Sequence, residues 1–258
     1  MSGLSRADLQ HYHQTYFRPD NVTISIAGRV TPKDAVALVE KVFSDWQIPS
    51  TPLPTLQLPA LTAHPEQKIT PQKTQQSIVM LGYLAPSVQK ADYTAVKLLS
   101  TYLGNGLSSR LFVELREKRG LAYEVSAFYP TRLEPATFVV YMGTAPENTA
   151  IALEGLRTEV ELLCSAQLSE EALQAAKNKL LGQYALGKQT NAQIAQVFGW
   201  YETLGLGISF DSQFQQQVAG VTAAMAQAAA CRYLLEPYVS LVGPEEAVNS
   251  VRSLKYVV

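Results

Sequence analysis

The chain has 258 residues, 47% of them hydrophobic and 17% charged, which is enough to bury the core of one large domain or two ordinary ones. A formal net charge of -1 and a pI near 6.3 exclude the basic footprint of a nucleic-acid-binding protein. No apolar run is long enough to cross a bilayer, so the sequence predicts no membrane span.

The first part of the chain predicts a helix, a strand and a second helix, followed by a connector. The hydrophobic spacing favours a helix over residues 5–17, a strand over 21–28 and a helix over 32–46. Residues 49–75 hold six of the fourteen prolines, so this segment is predicted to be an extended, proline-rich linker.

The remainder of the chain is predicted to begin and end with a strand and to carry helices between them. The predicted elements are strand 76–84, helices 90–103 and 107–118, strands 121–130 and 136–143, a mostly helical region 146–235, strand 237–243 and a short closing helix. This order predicts an α+β fold, in which an antiparallel sheet is covered on one face by helices.

One stretch, Asn105 to Ala127, combines charged and aromatic residues in a way that suggests chemistry. Leucines at helical spacing fill its first half, Gly120 is expected to end that helix, and the hydrophobic period then changes to two, as in a strand. Arg116 near the helix end and Tyr123 at the strand start are therefore expected to flank a single turn.

A guanidinium and a phenol that converge from the two sides of a turn suit the binding of a peptide carbonyl or a developing oxyanion. A structural interpretation is also open: Arg116 caps the last helix carbonyls and offsets the helix dipole, and Tyr123 is a half-buried aromatic of the sheet. The residues alone do not choose between the two interpretations.

The run SSRLFVELREKRGLAYEVSA, which ends at Ala127, resembles the signature of the C-terminal half of the insulinase-type (M16, pitrilysin-like) zinc peptidases. QQSIVMLGYLAP and DYTAVKLLSTYLGNGLSSRLF before it, and LSRADLQHYHQTYFRPDNVTISIAGRVTP near the start, are similar to the same family in order and spacing. The resemblance covers nearly the whole chain. It implies that Arg116 and Tyr123 hold the substrate backbone and help to stabilise the tetrahedral intermediate.

The family's catalysis depends on an H-x-x-E-H helix, whose histidines bind zinc and whose glutamate is the general base. This chain has three histidines and none is in that pattern. His11 and His13 are two apart on a predicted helix, so they cannot chelate one metal from one face, and both are predicted to be surface residues. His64 is predicted to be a solvated loop residue. No bound metal is expected, and zinc is expected in a partner half.

The sequence also contains an internal repeat, in which a helix, a proline and a strand near the N-terminus recur near the C-terminus. Three pairs of residues match at one constant separation: Tyr16 with Tyr233, Phe17 with Leu234, and Val22 with Val239. The alternative is that this common order of elements recurs by chance.

If the repeat is real, residues 1–48 are the C-terminal tail of a truncated first M16-like unit. Residues 49–75 are then a linker, and residues 76–258 form a complete domain of the M16 C-terminal type.

Cys164 and Cys231 lack C-x-x-C spacing and are predicted to be unpaired, reduced core thiols. Together with the absence of a secretory signal, this favours a cytoplasmic location.

Three functions are compatible with these observations. The favoured one is a non-catalytic half or subunit of an M16 zinc metalloendopeptidase that provides Arg116 and Tyr123 to an H-x-x-E-H partner, binds peptide or protein substrates, and could also form homo-oligomers. The alternatives are a structural, core-protein-like relative without a peptidase role, and a stand-alone peptide-binding module.

Overall fold

The computed structural model describes residues 3–104 and 106–252. Within them the α-helices are α1 (Arg6–Tyr16), α2 (Pro32–Phe43), α3 (Tyr93–Gly104), α4 (Thr149–Ser165), α5 (Glu170–Leu186), α6 (Asn191–Thr203), α7 (Phe210–Gly220), α8 (Ala223–Tyr233) and α9 (Glu245–Arg252). The strands are β1 (Gln67–Pro71), β2 (Ser77–Ala85), β3 (Glu124–Phe128), β4 (Ala136–Thr144) and β5 (Tyr238–Gly243).

The five strands form one sheet in the order β1-β5-β2-β4-β3. The pairs β5 with β2, β2 with β4, and β4 with β3 are antiparallel, as predicted, whereas β1 runs parallel to β5. Strand β1 lies inside segment 49–75, which was predicted to be an extended connector. Its sequence, QKITP, has one partly buried apolar residue, Ile69, so it lacks the alternating hydrophobic pattern of a half-buried strand.

One face of the sheet is covered and the other is open. Along β2 the side chains of Val79, Leu81 and Tyr83 are fully buried, and the residues between them are partly exposed. Helices α3, α4 and α8 contact the sheet strands and contribute their own buried stripes to the core. The predicted α+β fold, with helices on one face of the sheet, is confirmed.

Two glycines let backbone segments approach closely beside the stretch that the sequence singles out. A Cβ on Gly104, the last residue of α3, would lie 1.8 Å from the backbone nitrogen of Ala127 in β3. A Cβ on Gly155 of α4 would lie 2.9 Å from a methyl carbon of Leu115. The contact at Gly104 is with backbone and leaves no room for a side chain, so α3 packs directly on β3. The contact at Gly155 lets α4 pack closely on the Leu115 side chain.

Backbone contacts divide the chain into two compact units. The first comprises Met1–Ala60, described from Gly3 onward, with Ala185–Phe210, and the second comprises Leu61–Tyr184 with Asp211–Val258, described up to residue 252 and without residue 105. The whole sheet belongs to the second unit. The sequence-based boundaries at residues 48 and 75 remain a prediction.

The strand predicted over residues 21–28 is not formed. Pro19–Asn21 is a single 3-10 turn, Val22 has an extended backbone, and residues 22–27 pair with no other strand among the described residues. The alternating sequence is suited to a strand, but a strand exists only where a second strand receives its backbone hydrogen bonds.

The prediction of two unpaired cysteines is wrong. Cys164 at the end of α4 and Cys231 in α8 form a disulfide, with their Cα atoms 4.8 Å apart. Sequence spacing could not show this, because the partners are 67 residues apart and are brought together by the packing of α4 against α8. Because the two cysteines are paired, they give no support to the predicted cytoplasmic location.

None of the helices in the described part of the chain is both long enough and apolar enough to cross a membrane.

Candidate functional site

The stretch after α3 forms a helical turn of unusual width followed by a tight reversal into β3. Residues Phe112–Glu117 are π-helical, and the amide of Lys118 donates to the carbonyl of Val113, five residues earlier. An α-helix was predicted over 107–118. Periodicity could not reveal the difference, because a π-turn adds one residue to a single turn and leaves the neighbouring leucine pattern nearly unchanged.

Gly120 makes the reversal possible. Its φ of +64° lies in the left-handed region, which favours glycine. The amide of Leu121 can then donate back to the carbonyl of Leu115 at 2.9 Å, and the hydroxyl of Thr144 in β4 donates to the carbonyl of Leu121 at 2.6 Å. The predicted helix stop at Gly120 is confirmed, and both sides of the turn are held by buried contacts.

Two of the basic side chains around this turn are used in ion pairs. Arg110 bonds Glu159 of α4 at 2.7 Å and also approaches Glu114 at 3.2 Å, while Lys118 bonds Glu114 at 2.8 Å. The hydrogen bond from Lys118 lowers the pKa of the Glu114 carboxyl. The pair of Arg110 with Glu159 joins the helix to α4, and both Arg110 and Lys118 already have carboxylate partners.

Arg116 is organised differently. Its guanidinium carbon lies 5.0 Å from the centre of the Phe112 ring, and its side chain is exposed. Among the described residues it makes no side-chain hydrogen bond and no ion pair. The side chain of Arg116 therefore does not cap the helix carbonyls. Its guanidinium lies over the face of the Phe112 ring and its N–H donors are free.

Tyr123 lies directly before β3, with its backbone fixed and its side chain free. Its amide donates to the carbonyl of Gly143 in β4 at 2.9 Å, and its side chain is 62% exposed. The phenol is thus not a half-buried aromatic of the sheet, as the structural interpretation supposed. Within the described residues no protein group bonds its hydroxyl.

A shallow cavity of about 440 Å³ opens beside Tyr123 at this end of the sheet. It is lined by Thr74, Gln75, Gln76, Ile78, Tyr123 and Val242. Its polar groups come from the segment just before β2. Thr74 and Gln75 lie at the end of the predicted linker and Gln76 at the start of the predicted strand, so the polar run TQQS was not recognised as a cavity lining.

No hydrogen bond or cation–π contact joins the side chains of Arg116 and Tyr123 to one another. Their backbones lie on the two sides of the Gly120 turn. In this turn the amide of Gly120 donates to the carbonyl of Arg116 at 3.2 Å. Both polar ends are exposed and unbonded among the described residues. Asn105, at the start of the stretch, lies outside those residues.

The donor set does not fit a zinc site. Among residues 3–104 and 106–252 no three histidine, cysteine or acidic side chains are placed to hold a metal ion. His13 stacks on Phe17, with ring centres 4.7 Å apart, and His64 is bonded through its ring to Thr62 at 2.9 Å. His11 is exposed on α1, as predicted for a surface residue.

Proteins of known structure share this arrangement of sheet and helices. A protease from Helicobacter pylori aligns over 94% of this chain and 59% of its own with a TM-score of 0.85 and 20% identity, which establishes the fold. A peptidase M16 inactive domain from Pseudomonas fluorescens aligns over 94% of this chain and 58% of its own with a TM-score of 0.81 and 25% identity. The fold is therefore that of an M16 peptidase half.

The family follows from the sequence match. Residues 3–180 match the family model described as Peptidase M16 inactive domain, and the chain belongs to this family. An uncharacterized zinc protease of Streptomyces coelicolor is 27% identical over 253 residues, which cover 95% of this chain and 54% of the relative. The chain spans about half the length of the curated relatives it matches.

Proposed function

We propose that this chain is the non-catalytic half of an M16-type zinc metalloendopeptidase and provides substrate contacts to a second half that carries the H-x-x-E-H zinc site. Membership of the inactive-domain family and the absence of a fitting metal-ligand set in the described residues support the first part. Relatives that are 27% and 29% identical to it are named zinc proteases, which supports the assignment of the zinc chemistry to a partner half or subunit.

The observation that carries the site assignment is the contrast between Arg116 and two basic residues near it, Arg110 and Lys118. Arg110 and Lys118 are paired with carboxylates, whereas Arg116 keeps its N–H donors free next to a turn that also presents the phenol of Tyr123. A guanidinium and a phenol in this state can donate to a peptide carbonyl and, more strongly, to the oxyanion that forms when water attacks that carbonyl.

The position of Tyr123 also indicates where substrate lies. Tyr123 immediately precedes β3, an edge strand of the sheet. An extended peptide that pairs along the first residues of β3 passes the phenol, and main-chain hydrogen bonds to a strand edge bind peptides with little dependence on their sequence. The zinc that the H-x-x-E-H residues of the partner half would hold would supply an activated water, and Arg116 and Tyr123 would hold the carbonyl in place.

The test is cleavage of an unstructured peptide by the chain mixed with the H-x-x-E-H half encoded closest to it. We expect Tyr123→Phe to lower kcat/KM by about 100-fold and Arg116→Ala by at least about tenfold, as for the loss of one oxyanion donor. Tyr141→Phe and Arg132→Ala are the matched controls, because Tyr141 bonds Glu124 on the sheet and Arg132 lies at the other end of the β3–β4 hairpin.

Cleavage that is indifferent to both site substitutions would refute the assigned roles. A chain that joins the zinc half in a stable assembly but never supports cleavage would instead be a structural subunit. If the chain alone bound extended peptides with the same affinity as the mixture, it would be a stand-alone peptide-binding module.

A further inference from the structure

We propose that the cavity beside Tyr123 is a specificity subsite, which takes one large, uncharged side chain of the peptide, aromatic or long aliphatic, next to the bond that is cut. The inference deepens the proposed function and rests on it, because it names the class of substrate that the same site accepts. Its own evidence is the shape of the cavity and the chemistry of its lining.

One strand position at this end of the open face of the sheet has no side chain. In the strand register Gly143 of β4 lies between Ile78 of β2 and Glu124 of β3. A Cβ on Gly143 would lie 3.4 Å from Oε1 of Gln76 and 3.5 Å from Cδ1 of Ile78. Because Gln76 and Ile78 both line the cavity, a side chain at residue 143 would project between two of its walls and narrow it.

The same glycine joins the cavity to the candidate site. The carbonyl of Gly143 accepts from the amide of Tyr123 at 2.9 Å, and Tyr123 itself lines the cavity. An extended peptide advances only about 3.3 Å per residue. A peptide whose carbonyl is bonded by the phenol of Tyr123 therefore has a neighbouring side chain within reach of the cavity.

The wall that the segment before β2 provides is fixed by hydrogen bonds of its backbone. The amide of Gln72 donates to the carbonyl of Gly243 at 2.7 Å, and the hydroxyl of Thr74 donates to the carbonyl of Gln76 at 2.7 Å. The side chains of Gln75 and Gln76 are exposed and make no hydrogen bond to any described residue. The wall is therefore formed before a ligand binds, and its carboxamides are free to bond one.

The lining indicates which side chains fit. Ile78 and Val242 provide aliphatic surface, and the other residues of the lining are polar and uncharged. Glu124, the register partner of Gly143, is not part of the lining, and its carboxylate accepts from the hydroxyl of Tyr141 at 2.7 Å. A charged side chain would lose water in this cavity without gaining a partner of opposite charge. A phenylalanine or leucine would bury apolar surface there, and a volume of about 440 Å³ is enough for either.

The experiment measures cleavage and binding separately, in mixtures of this chain with the H-x-x-E-H half encoded closest to it. Cleavage is mapped on a library of unstructured peptides. Binding of the same peptides is measured with the motif glutamate of the zinc half changed to glutamine, which keeps the metal ligands and removes the general base. At one position near the cut, the parent should prefer phenylalanine or leucine to alanine, aspartate and lysine by at least about tenfold.

Two alanine variants test whether this preference belongs to the cavity. Gly143→Ala should reduce the preference at least about fivefold, because its methyl group occupies the cavity. Gly82→Ala is the matched control: Gly82 lies on the same face of the sheet, a Cβ there also has its nearest contact at 3.4 Å, and Gly82 does not line the cavity. Both contacts are ordinary van der Waals contacts, so both variants should keep the melting temperature of the parent.

A third variant changes the charge of the cavity at an exposed residue, where folding is not affected. Gln76→Lys should lower the cleavage and binding of the phenylalanine peptides and raise those of the aspartate peptides, because it places a positive charge in the wall.

Cleavage without this preference, a preference of the parent for a charged residue, or a preference that Gly143→Ala and Gln76→Lys leave unchanged would overturn this inference and leave the proposed function intact. Preferential binding of phenylalanine peptides that Gly143→Ala abolishes, in a mixture whose active form cleaves nothing, would support the inference and contradict the proposed function. A mixture that binds no peptide would contradict both.

Discussion

At the scale of single residues, the candidate site depends on one backbone conformation. Gly120 adopts a φ of +64° at the end of the π-helical segment, and this value sets the direction in which the chain turns from Arg116 towards Tyr123. Nothing lies within 4 Å of the position of a Cβ on Gly120, so a side chain would meet no obstacle there. Any cost of substitution at this residue is therefore a cost of backbone conformation.

Gly120→Ala should lower the free energy of unfolding by about 1 kcal/mol, because alanine disfavours the left-handed region. Gly182→Ala is the matched control, since Gly182 lies inside α5 with equally open surroundings. It should raise the free energy of unfolding by about 0.5–1 kcal/mol, because alanine is the better helix former. Urea denaturation of both variants measures the two values, and equal effects of the same sign would show that Gly120 does not need its positive φ.

The residues of the candidate site could be identified from the sequence, but their surroundings could not. Arg116 and Tyr123 were predicted from the change of hydrophobic period and from a family resemblance, and their role stays a prediction. The polar lining from Gln75 and Gln76 was missed because a polar run before a strand is typical of any loop. The ion pair of Arg110 with Glu159 was also invisible, because it joins residues 49 positions apart through the packing of α4.

At the scale of elements, the helices and strands of the second unit were predictable because each has a periodic apolar face that its own unit buries. Strand β1 was not, because an edge strand with one partly buried residue has no such pattern. The strand expected at 21–28 failed for the opposite reason: its pattern is clear, but its partner strands are absent from the described residues. The hydrophobic pattern of a segment predicts which of its faces is buried, but it does not show whether another element is present to cover that face.

The disulfide is the element-scale feature with the most direct consequence for stability. It joins α4 to α8 across 67 residues, so it limits the unfolded chain by closing a long loop. Cys231→Ala, or reduction of the parent protein, should lower the free energy of unfolding by about 3–4 kcal/mol.

Denaturation of the parent and of Cys231→Ala, each with and without reductant, measures this loss of stability. The variant is the control, because reductant should not change its free energy of unfolding. Two thiols that react with an alkylating agent in the denatured, unreduced protein would contradict the pairing.

At the scale of the whole molecule, the two units differ in how complete they are. The second unit closes its own sheet and core, whereas α1 and α2 of the first unit contain no buried residue. Exposed apolar residues continue through both helices and the segment between them. Exposed apolar surface of this extent is typical of a protein–protein contact.

The central claim is a division of labour, in which this chain grips the peptide and another half holds the metal. The most direct measurement is zinc content by elemental analysis, alongside peptide cleavage, for the purified chain, for the H-x-x-E-H half, and for their equimolar mixture. The account predicts about one zinc per H-x-x-E-H half, none bound by the purified chain, and cleavage in the mixture alone. Stoichiometric zinc and peptide hydrolysis in the purified chain would contradict it.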